Sequence, residues 1–236
     1  MQGMPTQRPK RILLLSPHAD DAELGAGGYL ASSAAHGSEV MVVLATAGPS
    51  AESRPHAEAI ADLRMDECAR AMEILGVQHL RLLSRGCDGE LAQKLPTSRL
   101  VTLLDGLIDS FAPDEVLLPL PSSHQDHMHC WNAGIAATRP RLQGHRPDLV
   151  AGYEYPLSHW GAGASFHAFQ GGMYVDITPH WPRKVAALRA HASQMGHKSH
   201  HHPIGVEGAS ALARLRGIEA GCQFAELLHV VRMVRR

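Results

Sequence analysis

The amino-acid sequence predicts an α/β fold: a single Rossmann-like domain with a mostly parallel sheet and helices on both of its faces. Short apolar runs alternate along the chain with segments of helical composition, which is the order of a sheet whose strands are joined by helices. The early strand-like runs are apolar at nearly every position, as in parallel strands that are buried on both faces. No linker rich in Pro, Gly or Ser divides the 236 residues, so one core is expected.

The first half of the chain supplies a βαβ unit. The runs RILLLS at 11–16 and EVMVVLA at 39–45 predict two buried strands, and the segment 23–36 between them predicts a helix. A second helix is predicted at 56–75, where Ala, Leu, Met, Arg and Glu dominate and Gly76 follows as a C-cap.

The alternation continues in the rest of the chain. A strand is predicted at 79–83, and a helix at 97–111 ends before Pro113. The remaining predicted elements are strands at 115–120, 149–153 and 173–177 and helices at 126–138, 182–195 and 209–220. Ligands of such a sheet bind outside the carboxyl ends of its strands, so the loops at these ends are where a site is expected.

Composition narrows the classes of ligand. The 22 Lys and Arg against 23 Asp and Glu give no electrostatic reason to expect a nucleic acid or a membrane surface, which favours small molecules. The segment 1–10 has no apolar core of a signal peptide, and no stretch approaches the roughly 18 apolar residues of a membrane span. We therefore expect a cytoplasmic protein with a polar tail at 1–10 and one domain at 11–236, and leave open whether it forms a homo-oligomer.

Cysteine and histidine usage points to imidazole chemistry. The four cysteines form no CxxC pair, so neither a disulfide framework nor a thiolate zinc site is indicated. The 17 histidines are an unusually large number and favour metal binding or acid–base chemistry.

The first polar cluster, His18-Ala19-Asp20-Asp21, follows the first predicted strand. On a short turn, residues three apart can face one point while the residue between them points elsewhere. His18 and Asp21 are therefore suited to bind one metal ion while Asp20 stays free to act as a base. An alternative is equally open from this cluster alone, because a helix N-cap and first helical turn also favour aspartate.

The second cluster, residues 124–129 (HQDHMH), follows the strand predicted at 115–120. Because the carboxyl ends of parallel strands lie at one edge of a sheet, the two clusters are expected to converge. A histidine of the second cluster would complete a His2Asp set and leave the fourth tetrahedral position to water, as a catalytic zinc site requires. Zinc would lower the pKa of that water toward about 7 and polarise a substrate carbonyl.

These two clusters resemble the motifs of a known family, the LmbE/PIG-L-like N-deacetylases. Its members open with a His-Pro-Asp-Asp-Glu type motif and later show His-x-Asp-His, which here read His18-Ala19-Asp20-Asp21 and His124-Gln125-Asp126-His127. The resemblance covers nearly the whole chain and includes the segments 64–67, 75–77, 87–89, 184–194 and 216–226. Ala19 stands where the family usually has proline, which concerns the stiffness of the turn rather than metal binding.

The resemblance implies a zinc-dependent hydrolase. Such an enzyme removes an acyl group, usually acetyl, from the nitrogen of a small-molecule amino sugar or glycoconjugate, such as one that contains N-acetylglucosamine. It implies that His18, Asp21 and His127 bind Zn2+ and that Asp20 is the general base that activates the bound water.

The resemblance also implies roles for the rest of the second cluster. His124 would face the developing oxyanion or protonate the leaving amine, and Asp126 would orient it. A carboxylate near the His124 imidazole would raise its pKa, so the rate would fall at alkaline pH when that proton is lost.

Three further residues are implied as substrate contacts. The positions that match Arg64 and Asp88 lie near sugar hydroxyls in such relatives, and His191 belongs to the family's late His-x-Ser-Gln segment. For the first two, an ion pair between Arg64 and Glu67 and a turn formed by Asp88 are equally open alternatives.

Other features receive structural interpretations. The stretch Gly25-Ala26-Gly27-Gly28 lacks GxGxxG spacing, and no acidic residue ends the second strand, so it predicts close packing of helix and sheet rather than a dinucleotide loop. The histidines between 197 and 202 predict a loop near the mouth of the site. The three tryptophans, Trp131, Trp160 and Trp181, are interpreted as packing residues.

Two other classes of protein remain open from the sequence. The βαβ opening also permits a Rossmann-like nucleotide-binding oxidoreductase, and the histidine content permits a noncatalytic metal-binding protein. Bound zinc without nicotinamide binding argues against the first, and hydrolysis of an acylated amino sugar argues against the second.

Overall fold

The computed structural model describes residues 9–49, 56–158, 172–195 and 204–235. Residues 1–8 of the predicted tail, the 197–202 histidines and Trp160 lie outside these ranges. In chain order the elements are β1 (Arg11–Ser16), α1 (Asp21–Ala35), β2 (Glu39–Thr46), α2 (Ala57–Leu75), β3 (His79–Ser84), α3 (Leu91–Lys94), α4 (Thr97–Phe111), β4 (Glu115–Pro119), α5 (Gln125–Ala137), β5 (Leu149–Tyr153), β6 (Gly172–Asp176), α6 (Trp181–Ala190), α7 (Ala192–Met195), α8 (Val206–Ala220) and β7 (Ala225–Met233), with a 3₁₀ turn at Thr178–His180.

The strands form one seven-stranded sheet in the order β3-β2-β1-β4-β5-β7-β6. The first five strands of this order are parallel, and β7 runs antiparallel to both β5 and β6. From β1 the chain builds outward to β2 and β3 on one side and then returns to β4 on the other. The order therefore reverses between β1 and β4, and a crevice at such a switch point is where doubly wound sheets bind ligands.

Both faces of the sheet are buried, as the apolar strands predicted. In β1, Ile12 and Leu14 pack on one face with residues of α1 and α2, such as Met72. Leu13 and Leu15 pack on the opposite face with α4 and α5. The prediction of a mostly parallel sheet covered on both faces is confirmed.

The glycines near the start of α1 let this helix approach the sheet. A Cβ atom added at Gly25 would lie 2.3 Å from the ring of Tyr153, and one at Gly28 would lie 2.6 Å from Ile177. Any larger side chain would push α1 away from the sheet, so the packing interpretation of the 25–28 stretch is confirmed. The close approach also fixes the start of α1, which carries part of the first polar cluster.

Three details differ from the sequence prediction. The short helix α3 and the antiparallel strand β7 were not predicted; in β7 the first four residues are buried and the other five are half-buried or exposed. The helix predicted at 182–195 is two helices, α6 and α7, which are separated at His191 with φ −82° and ψ 57°. Within the described ranges, no helix combines the length and the apolar character that crossing a bilayer requires.

Candidate metal centre and active site

The two polar clusters meet at the switch point. The first lies in the turn between β1 and α1, and the second begins the helix that follows β4. Because β1 and β4 pair in parallel, with Leu14 opposite Leu117, their carboxyl ends lie side by side. The turn after β1 is shaped by two hydrogen bonds: the Ser16 hydroxyl donates to the His18 carbonyl at 2.7 Å, and the His18 N–H donates to Asp21 Oδ2 at 3.0 Å.

Three side chains of these clusters converge on one point. Asp21 Oδ2 lies 3.0 Å from Nδ1 of His18 and 3.2 Å from Nε2 of His127. All three residues are buried, and their ligand atoms lie within 4.8 Å of one another. The structure thus brings together the three residues that the family resemblance named as metal ligands.

The charge state of this group favours a cation. Burial alone would raise the pKa of Asp21, but the imidazoles of His127 and His18 hold it well below its usual range. Burial alone would lower the pKa of His18, but the carboxylates of Asp126 and Asp21 raise it well above its usual value. The carboxylates of Asp21 and Asp126 thus place negative charge at both nitrogens of the His18 ring.

The donor set fits a catalytic metal. A metal ion would be bound by Nδ1 of His18 and Nε2 of His127 in their deprotonated form, together with the carboxylate of Asp21. Two imidazoles and one carboxylate suit zinc and its neighbours in the first transition row. Three protein ligands leave a position for water and substrate, as in catalytic rather than structural sites.

Asp20 directly precedes Asp21 in the chain and is only 7% exposed. It occupies the N-cap position of α1, but its side chain does not cap the helix. The alternative that this aspartate serves as a helix cap is therefore not supported by the structure. Its side chain has an interaction partner, and its role as the base for the attacking water stays a prediction.

His124 is held as a neutral imidazole. It is the N-cap of α5, and its Nδ1 accepts a hydrogen bond from the Asp126 N–H at 3.2 Å, which leaves the ring proton on Nε2. Burial lowers the pKa of His124, and the neighbouring His18 and His127 lower it further. The expectation that Asp126 raises this pKa was wrong in its net sign, because burial outweighs the attraction of that carboxylate.

The carboxylate of Asp126 contacts His18. Its Oδ2 lies 3.2 Å from Nε2 of His18. The other ring nitrogen of His18, Nδ1, faces Asp21 in the proposed metal group. The contact of Asp126 with His124 is made by the backbone N–H, which donates to Nδ1, and the role of the Asp126 side chain in orienting His124 stays a prediction. The contact with His18 could not be predicted from the sequence, because the two residues are 108 positions apart.

Arg64 and Asp88 lie together beside the metal group. Arg64 Nη1 is 3.5 Å from Asp88 Oδ2 and also donates to the carbonyl of Gly48. Asp88 Oδ1 is 3.6 Å from Nε2 of His18. The alternative pairing of Arg64 with Glu67 is wrong, since the Glu67 carboxylate instead accepts hydrogen bonds from the backbone and hydroxyl of Ser193.

His191 is paired with another side chain in this structure, and its expected contact with substrate stays a prediction. Its side chain is fully buried behind the first turn of α1, where Nε2 lies 2.8 Å from Glu23 Oε1. Burial alone would lower the pKa of His191, but the Glu23 and Asp20 carboxylates raise it. Sequence reasoning missed Glu23 because only the structure shows that it has a buried partner 168 positions away.

The buried pair of His191 and Glu23 leads to a prediction about the stability of the fold. Replacing His191 by Leu is expected to lower the free energy of unfolding by about 3–5 kcal/mol, because Glu23 is left unpaired in the interior. Replacing both residues by Leu should cost less than the sum of the two single changes. Urea denaturation measures the loss, and exposed His36→Leu, which should stay within about 0.5 kcal/mol of the parent, is the control. Unchanged stability of His191→Leu would contradict the prediction.

Tyr155 packs against one of the proposed metal ligands. The ring of Tyr155, at the end of β5, lies 4.6 Å from the ring of His127, and burial raises the pKa of its hydroxyl to about 12. That hydroxyl donates to the hydroxyl of Ser122 at 3.0 Å. His129, also on α5, turns away from the metal group and lies 2.8 Å from the carbonyl of Leu95.

Fold and site together define the class of protein. A buried His2Asp group at the switch point of a doubly wound sheet is the arrangement of a metal-dependent hydrolase. The family model described as PIG-L, GlcNAc-PI de-N-acetylase, matches residues 13–138, and the chain belongs to this family. It is accordingly an enzyme of the de-N-acetylase class.

Individual relatives agree with this assignment. The diacetylchitobiose deacetylase of Thermococcus kodakarensis is 30% identical over 195 residues, which span 78% of this chain and 70% of that protein. The solved N,N'-diacetylchitobiose deacetylase of Pyrococcus horikoshii is similar in fold, with a TM-score of 0.76 and 24% identity over 96% of this chain and 85% of that one.

A third solved structure shows that the fold alone does not decide the reaction. The 4-carboxy-2-hydroxymuconate hydratase of Pseudomonas putida matches with a TM-score of 0.72 and 21% identity over 96% of this chain and 99% of that one. The assignment of activity therefore depends on the family match and on the site.

Proposed function

We propose that this protein is a zinc-dependent hydrolase that removes the acetyl group from the nitrogen of a 2-acetamido sugar, such as an N-acetylglucosamine-containing conjugate. The observation that carries the proposal is the convergence of His18, Asp21 and His127 on one point. The sugar is suggested by the family model, whose description names a GlcNAc-containing substrate, and by the diacetylchitobiose deacetylase.

In this proposal His18, Asp21 and His127 hold the zinc ion. When bound, zinc would polarise the amide carbonyl as a Lewis acid and lower the pKa of water, which makes the water a better nucleophile. Asp20 accepts a proton from the attacking water as its oxygen bonds to the acetyl carbon. The same carboxyl group then returns the proton to the sugar nitrogen as the C–N bond breaks, so acetate and an amino sugar leave.

His124 has the geometry of an oxyanion donor in this scheme. Its remaining proton is on Nε2, because Nδ1 already accepts the Asp126 N–H. A neutral imidazole that donates from a helix N-terminus stabilises negative charge on the carbonyl oxygen without giving up its proton. Of the two roles that the family resemblance left open, we propose this one.

Arg64 and Asp88 are proposed as contacts to sugar hydroxyls. Asp88 Oδ1 is buried without a hydrogen-bond partner among the described residues, so it is able to accept a hydroxyl proton from a substrate. Arg64 holds the other carboxylate oxygen from the opposite side. A substrate without hydroxyls near its acetamido group would leave this acceptor unsatisfied, which disfavours it.

The test is a deacetylation screen with zinc-loaded protein. Free N-acetylglucosamine and its glycosidic, lipid-linked and nucleotide-linked conjugates are each incubated with the enzyme, and acetate and free amine are both measured. The proposal expects equal amounts of the two products from at least one of them. If fully zinc-loaded protein released acetate from none of these conjugates, the proposed substrate class would be wrong.

The state of His124 predicts the pH dependence. Because burial and neighbouring imidazoles lower its pKa, His124 loses its proton at lower pH than an ordinary histidine does. The parent kcat/KM should therefore rise with pH and show no alkaline fall that depends on His124. His124→Ala should lower kcat by about 10²- to 10³-fold without moving the pH limbs, as expected for a lost oxyanion donor.

The pH profiles of kcat/KM for the parent and for His124→Ala decide between the two roles. An alkaline limb that is present in the parent and absent from the variant would restore the role of His124 as a proton donor. Zinc content is measured in both proteins, so that a loss of metal is not mistaken for a loss of the donor.

A further inference from the structure

The carboxylate of Asp126 joins two parts of the site that are distant in sequence. It is completely buried, and its Oδ2 lies 3.2 Å from Nε2 of His18. The same oxygen accepts the N–H of Gly89 at 2.7 Å, and Oδ1 accepts the N–H of Leu91 at 3.3 Å. One side chain therefore contacts a proposed metal ligand and the backbone of the turn that leads into α3.

That turn carries Asp88, the proposed substrate contact. Gly89 has φ +78°, in the left-handed region that favours glycine, so the turn has a specific shape that must be held in place. The backbone N–H of Asp88 donates to the Pro49 carbonyl at 2.9 Å, and the hydrogen bonds to Asp126 hold the following residues. Asp88 Oδ1 is thereby set 3.6 Å from Nε2 of His18.

We infer that Asp126 is a positioning residue that couples metal binding at His18 to the shape of the Asp88-Gly89 turn. A carboxylate that accepts from the outer nitrogen of a ligating histidine fixes the orientation of the ring and makes it a better ligand. Here the same carboxylate also fixes the substrate-facing turn. By linkage, a metal ion that holds His18 in place also stabilises the turn, and loss of Asp126 severs the connection.

The consequence for substrate binding rests on the proposed function, but the coupling is measurable without any substrate. Asp126→Asn is the informative variant, because an amide has one acceptor oxygen for three N–H groups and presents a donor to the others. Its affinity for Zn2+, measured by competition with a coloured chelator, is expected to fall about 10- to 100-fold. Amide exchange at Gly89 is expected to accelerate roughly tenfold, as the loss of a hydrogen bond to a charged group predicts.

Three comparisons make the assignment specific. Adding Zn2+ should slow amide exchange at Gly89 in the parent and have little effect on it in Asp126→Asn. Asp88→Asn should raise KM for the sugar and lower zinc affinity by less than Asp126→Asn does. Asp109→Asn, which removes a surface carboxylate paired with Arg141, should change neither zinc affinity nor Gly89 exchange.

Two results would overturn the inference. One is that Asp126→Asn binds Zn2+ as tightly as the parent protein does. The other is that the rate of amide exchange at Gly89 in the parent does not change when Zn2+ is added. The second result needs no variant, so the inference stays testable even when Asp126→Asn folds poorly. Failure of every acetylated sugar in the deacetylation screen would count against the proposed function, while zinc affinity and amide exchange would still decide the coupling.

Discussion

Replacing Asp20 by Asn is expected to lower kcat by about 10²- to 10⁴-fold while zinc content stays at the parental level. An amide cannot accept a proton from the attacking water, and it cannot return one to the sugar nitrogen. The change keeps nearly the same volume at a position that is only 7% exposed, so the turn between β1 and α1 should keep its shape. Asp21, the adjacent residue, retains its contacts with His18 and His127.

The measurement is kcat with the best substrate from the deacetylation screen, together with elemental analysis of zinc. Asp62→Asn is the matched control, because it removes an exposed carboxylate paired with Arg85 and should leave kcat unchanged. Native turnover in zinc-loaded Asp20→Asn would remove Asp20 from the role of base. Loss of zinc together with turnover would instead indicate that Asp20 helps to hold the metal.

The parallel part of the fold could be predicted because its strands carry a strong local signal. The β1 and β2 segments are apolar on both faces. Such segments are stable as strands when the sheet is covered on both sides, because both faces are then removed from water. Gly76 ends α2 in the left-handed conformation that its position after the apolar periodicity predicted. Element type therefore followed from composition and local backbone preference.

The antiparallel edge was harder to predict because its information is not local. In β7 only the first four residues are buried, and the rest alternate between half-buried and exposed. Its place between β5 and β6 depends on pairing with strands that are far away in the chain. The break at His191 is of the same kind, since a buried partner in α1 competes there with continuation of the helix.

The same difference between local and long-range information applies to the candidate site. Residues adjacent in sequence, such as Asp20 and Asp21, could be placed together because both follow the same strand end. Contacts between clusters, such as that of Asp126 with His18, depend on distances of a few ångströms that spacing does not encode. The family resemblance supplied the identity of candidate ligands, but not which carboxylate supports which imidazole.

Replacing His127 by Ala is expected to remove most of the zinc and, with it, almost all turnover. Removing a group that only hydrogen-bonds to a ligand typically weakens metal binding by about 10- to 100-fold, and removal of a ligand itself should exceed that. His127 is buried with Nε2 3.2 Å from Asp21 Oδ2, so alanine leaves two ligands.

The control for this variant lies on the same helix. His129→Ala removes an imidazole two positions along α5 whose Nε2 contacts the Leu95 carbonyl, so zinc should be retained there. Elemental analysis after dialysis against a weak chelator measures zinc in both proteins, and circular dichroism verifies that each is folded. His124 lies with His18 and Asp126 in a second group whose ligand atoms are within 4.8 Å of one another, so the zinc content of this variant also tests whether His124 is a ligand. Full zinc occupancy in folded His127→Ala would therefore refute the ligand set of His18, Asp21 and His127, and would require the third ligand to be sought at His124 or His129.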